Sequence, residues 1–335
     1  LINWSNDLFY YEFGSDRAIR LTSTPDEELS EEFSPDGRMI SFVRGNNLYV
    51  EDLGMQRRER ALTRDGSDKI LNGRLDWVYQ EELYGRGNFG AYWWSPNSTT
   101  IAFLRFDEHP VPEFTVVDHI PLYQDVEVTP YPKAGAPNPI VKLGVVNAAG
   151  GDIRWVDTYK YQPADFLISR VAWTPDSKKV VYQAQNREQT FLDVNFADAR
   201  DGKSETIIHE TSKAWVGINE NPIWLKDGSF IWASERSGWE HLYHYSADGK
   251  LLKQITDGKW EVRSIQGVDE DDGFIYFTAT QHSHIAPHGY RIKLDGTGLQ
   301  RLTMTEGSHR IDVSPAHNYF VDVWSDINTP SQVRL

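Results

Sequence analysis

Two consecutive carboxylates, Glu81 and Glu82, close the run Asp76-Trp77-Val78-Tyr79-Gln80, and Gly85-Arg86-Gly87-Asn88-Phe89-Gly90 follows at once. Adjacent carboxylates can grip a compact cation between them, act as an acid and base pair, or simply sit solvated. The Gly-x-Gly-x-x-Gly spacing cradles a dinucleotide only where it follows a strand and opens a helix, so that the helix N-terminus meets the pyrophosphate. Here a short helical segment precedes the glycines and the strand-like Ala91-Tyr92-Trp93-Trp94 comes after them. They are expected to be a flexible return to a sheet, not a nucleotide loop. Asp76 can cap a helix near 76–84 through its carboxylate, with Trp77 and Leu83 pinning it to the body and Tyr79 supporting it. Successive α-helical residues diverge by about 100°, so Glu81 and Glu82 would not face each other. They could still converge on one ammonium, which offers three donors. On residue types alone, a solvated acidic pair is the simpler reading.

Other chemistry-bearing patterns are weaker. No Gly-x-Ser-x-Gly occurs, so the strained elbow that presents a hydrolase serine is missing. His282 and His284 would share one face of a strand, but without a carboxylate pattern beside them a surface loop is the simpler reading, and no metal site is expected. His241 and His244, three apart on a strand, would point to opposite faces. Asp269-Glu270-Asp271-Asp272-Gly273 reads as a hairpin tip, because the alternating ligand spacing of a calcium loop is not met. No cofactor is implied.

The elements that must position these residues are strands. Of 335 residues, 12 are Trp, 16 Tyr and 15 Phe against three Met, a β-rich balance. A unit recurs: an aromatic, Ser/Thr-Pro-Asp/Asn, a tight turn, an alternating strand, a polar hairpin and a second strand. It starts at Phe33-Ser34-Pro35-Asp36-Gly37, Trp94-Ser95-Pro96-Asn97, Trp173-Thr174-Pro175-Asp176, Trp224-Leu225-Lys226-Asp227-Gly228 and Val313-Ser314-Pro315. Units close alike on Leu21-Thr22, Leu62-Thr63, Ile255-Thr256 and Leu302-Thr303. Repetition at roughly 40 to 60 residues predicts an all-β fold, a β-propeller of four-stranded blades. A sandwich would not repeat one motif five times. Five or six full blades are expected, with Leu1 to Thr22 as the outer strands of another, so that part of the ring is absent. Residues 107–142, with seven prolines, break the period as an insertion.

The net charge of −15 argues against nucleic acid, which is bound through clustered Lys and Arg. No apolar run approaches the roughly 20 residues that span a bilayer. With no cysteine, thiolate zinc sites, disulfides and cysteine nucleophiles are excluded, and compartment stays open between cytoplasm and periplasm. A start at Leu1, without an initiator Met or a signal peptide, is expected of a piece of something longer.

Asp76-Trp77-Val78-Tyr79-Gln80-Glu81-Glu82 resembles the Asp-Trp-Val-Tyr-Glu-Glu-Glu signature of the dipeptidyl peptidase IV group of prolyl oligopeptidase-type serine peptidases, with Gln80 for the first Glu. Asn72-Gly73, Trp93-Trp94-Ser95-Pro96-Asn97, Pro130-Tyr131-Pro132-Lys133-Ala134-Gly135, Asn138-Pro139, Val141-Lys142, Trp215-Val216-Gly217 and Trp260-Glu261-Val262 are further matches. The resemblance implies that residues 1–335 are the N-terminal propeller of a bacterial dipeptidyl peptidase, seven to eight blades in the parent. The catalytic serine, aspartate and histidine would lie in a C-terminal α/β-hydrolase domain absent here, so this piece alone should be inactive. It also implies that Glu81 and Glu82 hold the free α-amino group of a peptide substrate, an amine largely protonated at neutral pH. Two carboxylates on one ammonium fix where the chain must begin, and so which bond is cut. An arm at 118–142 would help build a homodimer, and the bacterial periplasm or the extracellular space is the implied location. The family's Arg that grips the substrate carbonyl has no match near Leu1, where Ser5-Asn6 stand. After Trp215-Val216-Gly217 the sequence Ile-Asn-Glu-Asn-Pro replaces the Phe and Arg of mammalian enzymes. Two other readings differ in class. One is a non-enzymatic protein-binding propeller. The other is a propeller glycosidase, disfavoured because neighbours on one helix flank a glycosidic bond poorly.

Overall fold

In the computed structural model, residues 1–54, 57–162 and 165–335 are described. The chain divides into two units, Leu1–His209 and Glu210–Leu335. Both are built from antiparallel sheets, the blades of a β-propeller, as the repeats predict; in all but the third sheet the strands follow one another in sequence.

In the first unit, Ile2–Trp4, Asp7–Glu12 and Arg17–Arg20 form a three-stranded sheet, and Leu29–Phe33, Met39–Arg44, Asn47–Asp52 and Glu59–Ala61 a four-stranded one. The third sheet centres on Thr100–Asp107, which pairs with Ile140–Asn147 on one side and with both Ile70–Asn72 and Tyr92–Trp94 on the other. Phe166–Trp173, Lys179–Asn186, Phe191–Asp198 and Ser204–Thr211 make the fourth. In the second unit, Ile223–Trp224, Phe230–Ser234, His241–Tyr245 and Leu251–Gln254 form one sheet. Val262–Asp269, Phe274–Ala279, His288–Lys293 and Gln300–Arg301 form the next, and Ser308–Val313, Phe320–Ser325 and Gln332–Arg334 the last. The central strands, such as Lys179–Asn186 and Phe191–Asp198, are buried on both faces, and the outer strands Arg17–Arg20 and Leu251–Gln254 are exposed. The cores include Val43, Leu48, Val50, Tyr92, Trp94, Ile101 and Phe103 in the first unit, and Ile231, Leu242, Ile275, Phe277 and Tyr290 in the second.

The repeated turn has a definite mechanism. Its fourth residue is left-handed in all five copies: Gly37, Ser98, Ser177, Gly228 and His317 have φ between 54° and 84°. Each donates its N–H to the carbonyl of the turn's first residue at 2.8–2.9 Å. A left-handed serine is unusual, and here its hydroxyl has a second use. Ser98 Oγ accepts the N–H of Asp36, and Ser177 Oγ that of Asn97, so each hydroxyl completes the turn of the preceding repeat. The closing threonines work locally. Thr22, Thr63, Thr256 and Thr303 accept the N–H of Leu8, Leu48, Leu242 and Gly289 at 2.8–3.0 Å.

Two segments leave the third sheet. The excursion at 74–90 is tied at its neck by bridging of Arg74 to Gly90 and by Leu75 N–H to Phe89 O at 2.9 Å. The second is a hairpin, Glu113–Asp118 with Asp125–Pro130, whose strands pair only with each other. The inserted segment is therefore narrower than 107–142, because Asp107 and Ile140–Lys142 lie within the sheet. The arm begins before residue 118 and its strands end at Pro130. Helix is confined, among the described residues, to Trp77–Leu83 and one 3-10 turn at Tyr159–Tyr161, the latter not expected from the sequence.

Candidate functional site

The excursion carries Glu81 and Glu82 on a single turn that opens as α-helix and continues as π-helix over Tyr79–Leu83. Asp76 caps it as expected: its two carboxylate oxygens accept the N–H groups of Val78 and Tyr79, each at 3.1 Å. The π conformation was not expected, and its mark is the bond from Tyr84 N–H to Tyr79 O at 2.8 Å. A wider i+5 turn holds more residues, so Glu81 and Glu82 diverge less in direction than an α-helix would require.

The turn is held from below. Tyr79, 1% exposed, packs edge-on to Phe106 at 4.6 Å between ring centroids. Its hydroxyl accepts the N–H of Ile168 at 3.0 Å, while the Tyr84 hydroxyl donates to Ile168 O at 3.3 Å. Both Ile168 groups are available because Phe166–Trp173 is the edge strand of its sheet, where alternate residues turn their N–H and C=O away from the paired neighbour. Arg170 completes the anchor, donating to Leu83 O at 2.8 Å. Leu83 is buried and the half-buried Trp77 packs at a tilt against Tyr131, 4.2 Å between ring centroids.

Electrostatically the site is two-tiered. Burial pushes the Asp76 carboxyl up to about 6, against the opposing pull of its two N–H donors. Nearby Glu108 is pushed up to about 7, again by burial first and by the Asp76 charge second. Above this tier Glu81 is partly exposed and Glu82 exposed. Glu81 already holds a cation. Arg86 Nε lies 3.0 Å from both of its oxygens and Arg86 Nη2 donates to it as well, so hydrogen bonding by the guanidinium holds the Glu81 carboxyl below its usual range. Arg86 carries no spacing signal of its own in the sequence, standing between the glycines of the Gly-x-Gly-x-x-Gly pattern. Those glycines return the chain as expected, Gly85 and Gly87 having φ of 97° and 89°. No side chain among the described residues pairs with Glu82.

Other residues singled out by sequence fall into place separately. Ser5 and Asn6, both left-handed, form the turn between the first two strands. In the second unit, Trp215, Val216 and Gly217 line a cleft of about 340 Å³ together with Glu210 and Arg236, which pair with each other. His241 and His244 bond to different neighbours, Thr256 and Ser229, and Asp269–Gly273 is a hairpin tip in which Asp269 Oδ1 accepts two backbone N–H groups at 3.1 Å. His282 and His284 lie in a loop, not on a strand. His284 approaches the Trp239 ring, and His282 pairs with Glu306.

Residues 3–331 match the family model described as the dipeptidyl peptidase IV N-terminal region. The dipeptidyl peptidase 4 of Trichophyton tonsurans is 30% identical over 321 residues, which cover 90% of this chain and 40% of that one. A "Probable dipeptidyl-aminopeptidase B" of Tuber melanosporum is 32% identical over 325 residues, 87% of this chain and 36% of the other. The crystal structure of Porphyromonas gingivalis dipeptidyl peptidase 4 superposes with a TM-score of 0.83 at 28% identity, covering 94% of this chain and 44% of that one. The chain thus spans about two fifths of the length of these relatives.

Proposed function

The chain belongs to the dipeptidyl peptidase IV N-terminal region family, and from that premise we propose that it is the propeller portion of a serine-type dipeptidyl peptidase. In this reading it selects peptides with a free N-terminus and gates their path to a catalytic triad in an α/β-hydrolase domain of the same protein. Glu81 and Glu82 are the residues that take the α-ammonium group. One observation supports this above the rest: Glu81 sits on a rigidly anchored turn and already binds a nitrogen cation, Arg86. The guanidinium is 81% exposed, and an exposed ion pair contributes little to stability. Exchange of Arg86 for a substrate ammonium is therefore cheap, and unpaired Glu82 supplies the second carboxylate.

The exposed hairpin supports a homodimer as the assembled form, since Val116, Ile120, Leu122, Tyr123, Val126 and Val128 face solvent. The same reading places the enzyme in the periplasm or outside the cell. No helix of the described residues is long and apolar enough to cross a membrane.

The test compares Glu81→Gln with wild type in the full-length enzyme, each on a free and on an N-acetylated peptide. Loss of one charge should lower kcat/KM on the free peptide by on the order of ten- to a hundredfold. It should change little on the acetylated one, because both changes delete the same interaction. Equal losses on both peptides would make the pair structural and reject the amine clamp.

A further inference from the structure

His288 opens the strand His288–Lys293 and is wholly buried. Its Nδ1 lies 3.2 Å from the Thr303 carbonyl oxygen and 3.0 Å from the Thr303 hydroxyl. A carbonyl oxygen can only accept, so Nδ1 carries the proton and the lone pair of the neutral ring sits on Nε2. That Nε2 is buried without a hydrogen-bond partner. An orphaned buried nitrogen is costly and demands a reason.

Its neighbours offer one. The His282 ring stands edge-on to His288 with centroids 5.0 Å apart, and its Nε2 is 2.9 Å from Glu306 Oε1. One donor atom from each of His282, His288 and Glu306 lies within 4.8 Å of the others. Zinc with ligands at about 2.1 Å sets neighbouring donor atoms roughly 3.4 Å apart in a tetrahedron. The shifts needed fall on the exposed side chains of His282 and Glu306. His309 stands behind, its ring 4.7 Å from that of His288. It is not a ligand, because Nδ1 faces the Asp322 carboxylate at 2.8 Å and Nε2 the Thr305 carbonyl at 2.8 Å. Arg301 acts on both His288 and Glu306 and opposes a cation there. Glu306 supplies countercharge.

We infer that His282, His288 and Glu306 form a three-ligand site for a divalent cation of the zinc kind, with a fourth position open to water. Two imidazoles and a carboxylate suit zinc, whereas calcium and magnesium require more oxygens than the three side chains provide. The Thr303 carbonyl is the outer partner that fixes the His288 tautomer. Bound metal would fasten the loop around His282 to the segment around Glu306.

The test is titration of the intact, untagged protein with Co²⁺, read by visible absorption, followed by displacement with Zn²⁺. One equivalent of Co²⁺ should bind with the intense bands of a low-coordinate site, and Zn²⁺ but not Mg²⁺ or Ca²⁺ should bleach them. His282→Ala and Glu306→Gln, both at exposed positions, should fold normally by circular dichroism and weaken Co²⁺ binding at least about tenfold. His284→Ala should change nothing. The proposal is overturned if no saturable equivalent binds, if the two folded variants bind like wild type, or if His284→Ala weakens binding as much as His282→Ala.

Discussion

The two excursions from the third sheet differ in where their apolar residues go. Residues 74–90 bury Tyr79 and Leu83 against the sheet and pair two tyrosine hydroxyls with the outward backbone groups of Ile168 on an edge strand. Among the described residues, the hairpin from Glu113 to Pro130 is held near its base, by Lys69 to Glu113 at 2.7 Å and by the aromatic run Trp77, Tyr131, Phe114. Farther out, Ile120 and Leu122 are more than nine-tenths exposed. The segment that carries the two carboxylates is fastened to the body. A segment whose apolar face is left for another surface is fastened only at one end.

The strongest way to break this contrast is to remove the anchor. Tyr79→Ala deletes a buried ring and should cost about 3–5 kcal/mol in urea unfolding. Tyr79→Phe, which only orphans the Ile168 N–H, should cost about 1–3 kcal/mol. If the two variants unfold alike, the ring packing is not what holds the turn.

A smaller effect should come from the buried cap. The Asp76 carboxyl titrates at about 6 in the fold, above its ordinary 3.8. Folding thus favours the protonated form: the stabilisation is complete below about pH 4 and is lost as pH rises through 6. The shift corresponds to at most about 3 kcal/mol. Asp76→Asn keeps an acceptor oxygen for only one of the Val78 and Tyr79 N–H groups, a pH-independent loss, and removes the titration. Its stability should gain on that of the wild type between pH 4 and 7, measured as the difference of two denaturation series. A constant difference across that range would mean the carboxylate is not desolvated.

The smallest effect on stability belongs to the hairpin. Ile120→Ser with Leu122→Ser should change the unfolding free energy by no more than about 0.5 kcal/mol per site, yet convert a dimer of the full-length enzyme to monomer in light scattering. An unchanged mass would remove the dimer reading and leave the exposed side chains without a partner.

How far the sequence could be read follows the range of the interactions. The Ser-Pro-Asp-Gly turns, the closing threonines and the Asp76 cap are contacts within a few residues or between adjacent strands, and their residue types announce them. The acidic pair was legible as a pair, but its π turn was not, since its anchor is the backbone of Ile168 on the edge strand of another sheet, far along the chain. Arg86 lay in plain view five residues from Glu81, hidden by the glycine pattern around it. The cluster of His282, His288 and Glu306 could not be found by spacing, because six and then eighteen residues separate its members. The pairing of His288–Lys293 with Gln300–Arg301 and the bond from His309 N–H to Pro287 O bring them together.

The left-handed serines have a consequence for how the molecule opens. Asp36 donates its N–H to a hydroxyl 62 residues further along, and Asn97 to one 80 residues further along. Protection of these two amides against solvent deuterium therefore reports on the neighbouring repeat and not on their own turn. A blade that loses its successor exposes its own corner, so local opening spreads backwards along the chain from one repeat to the one before it.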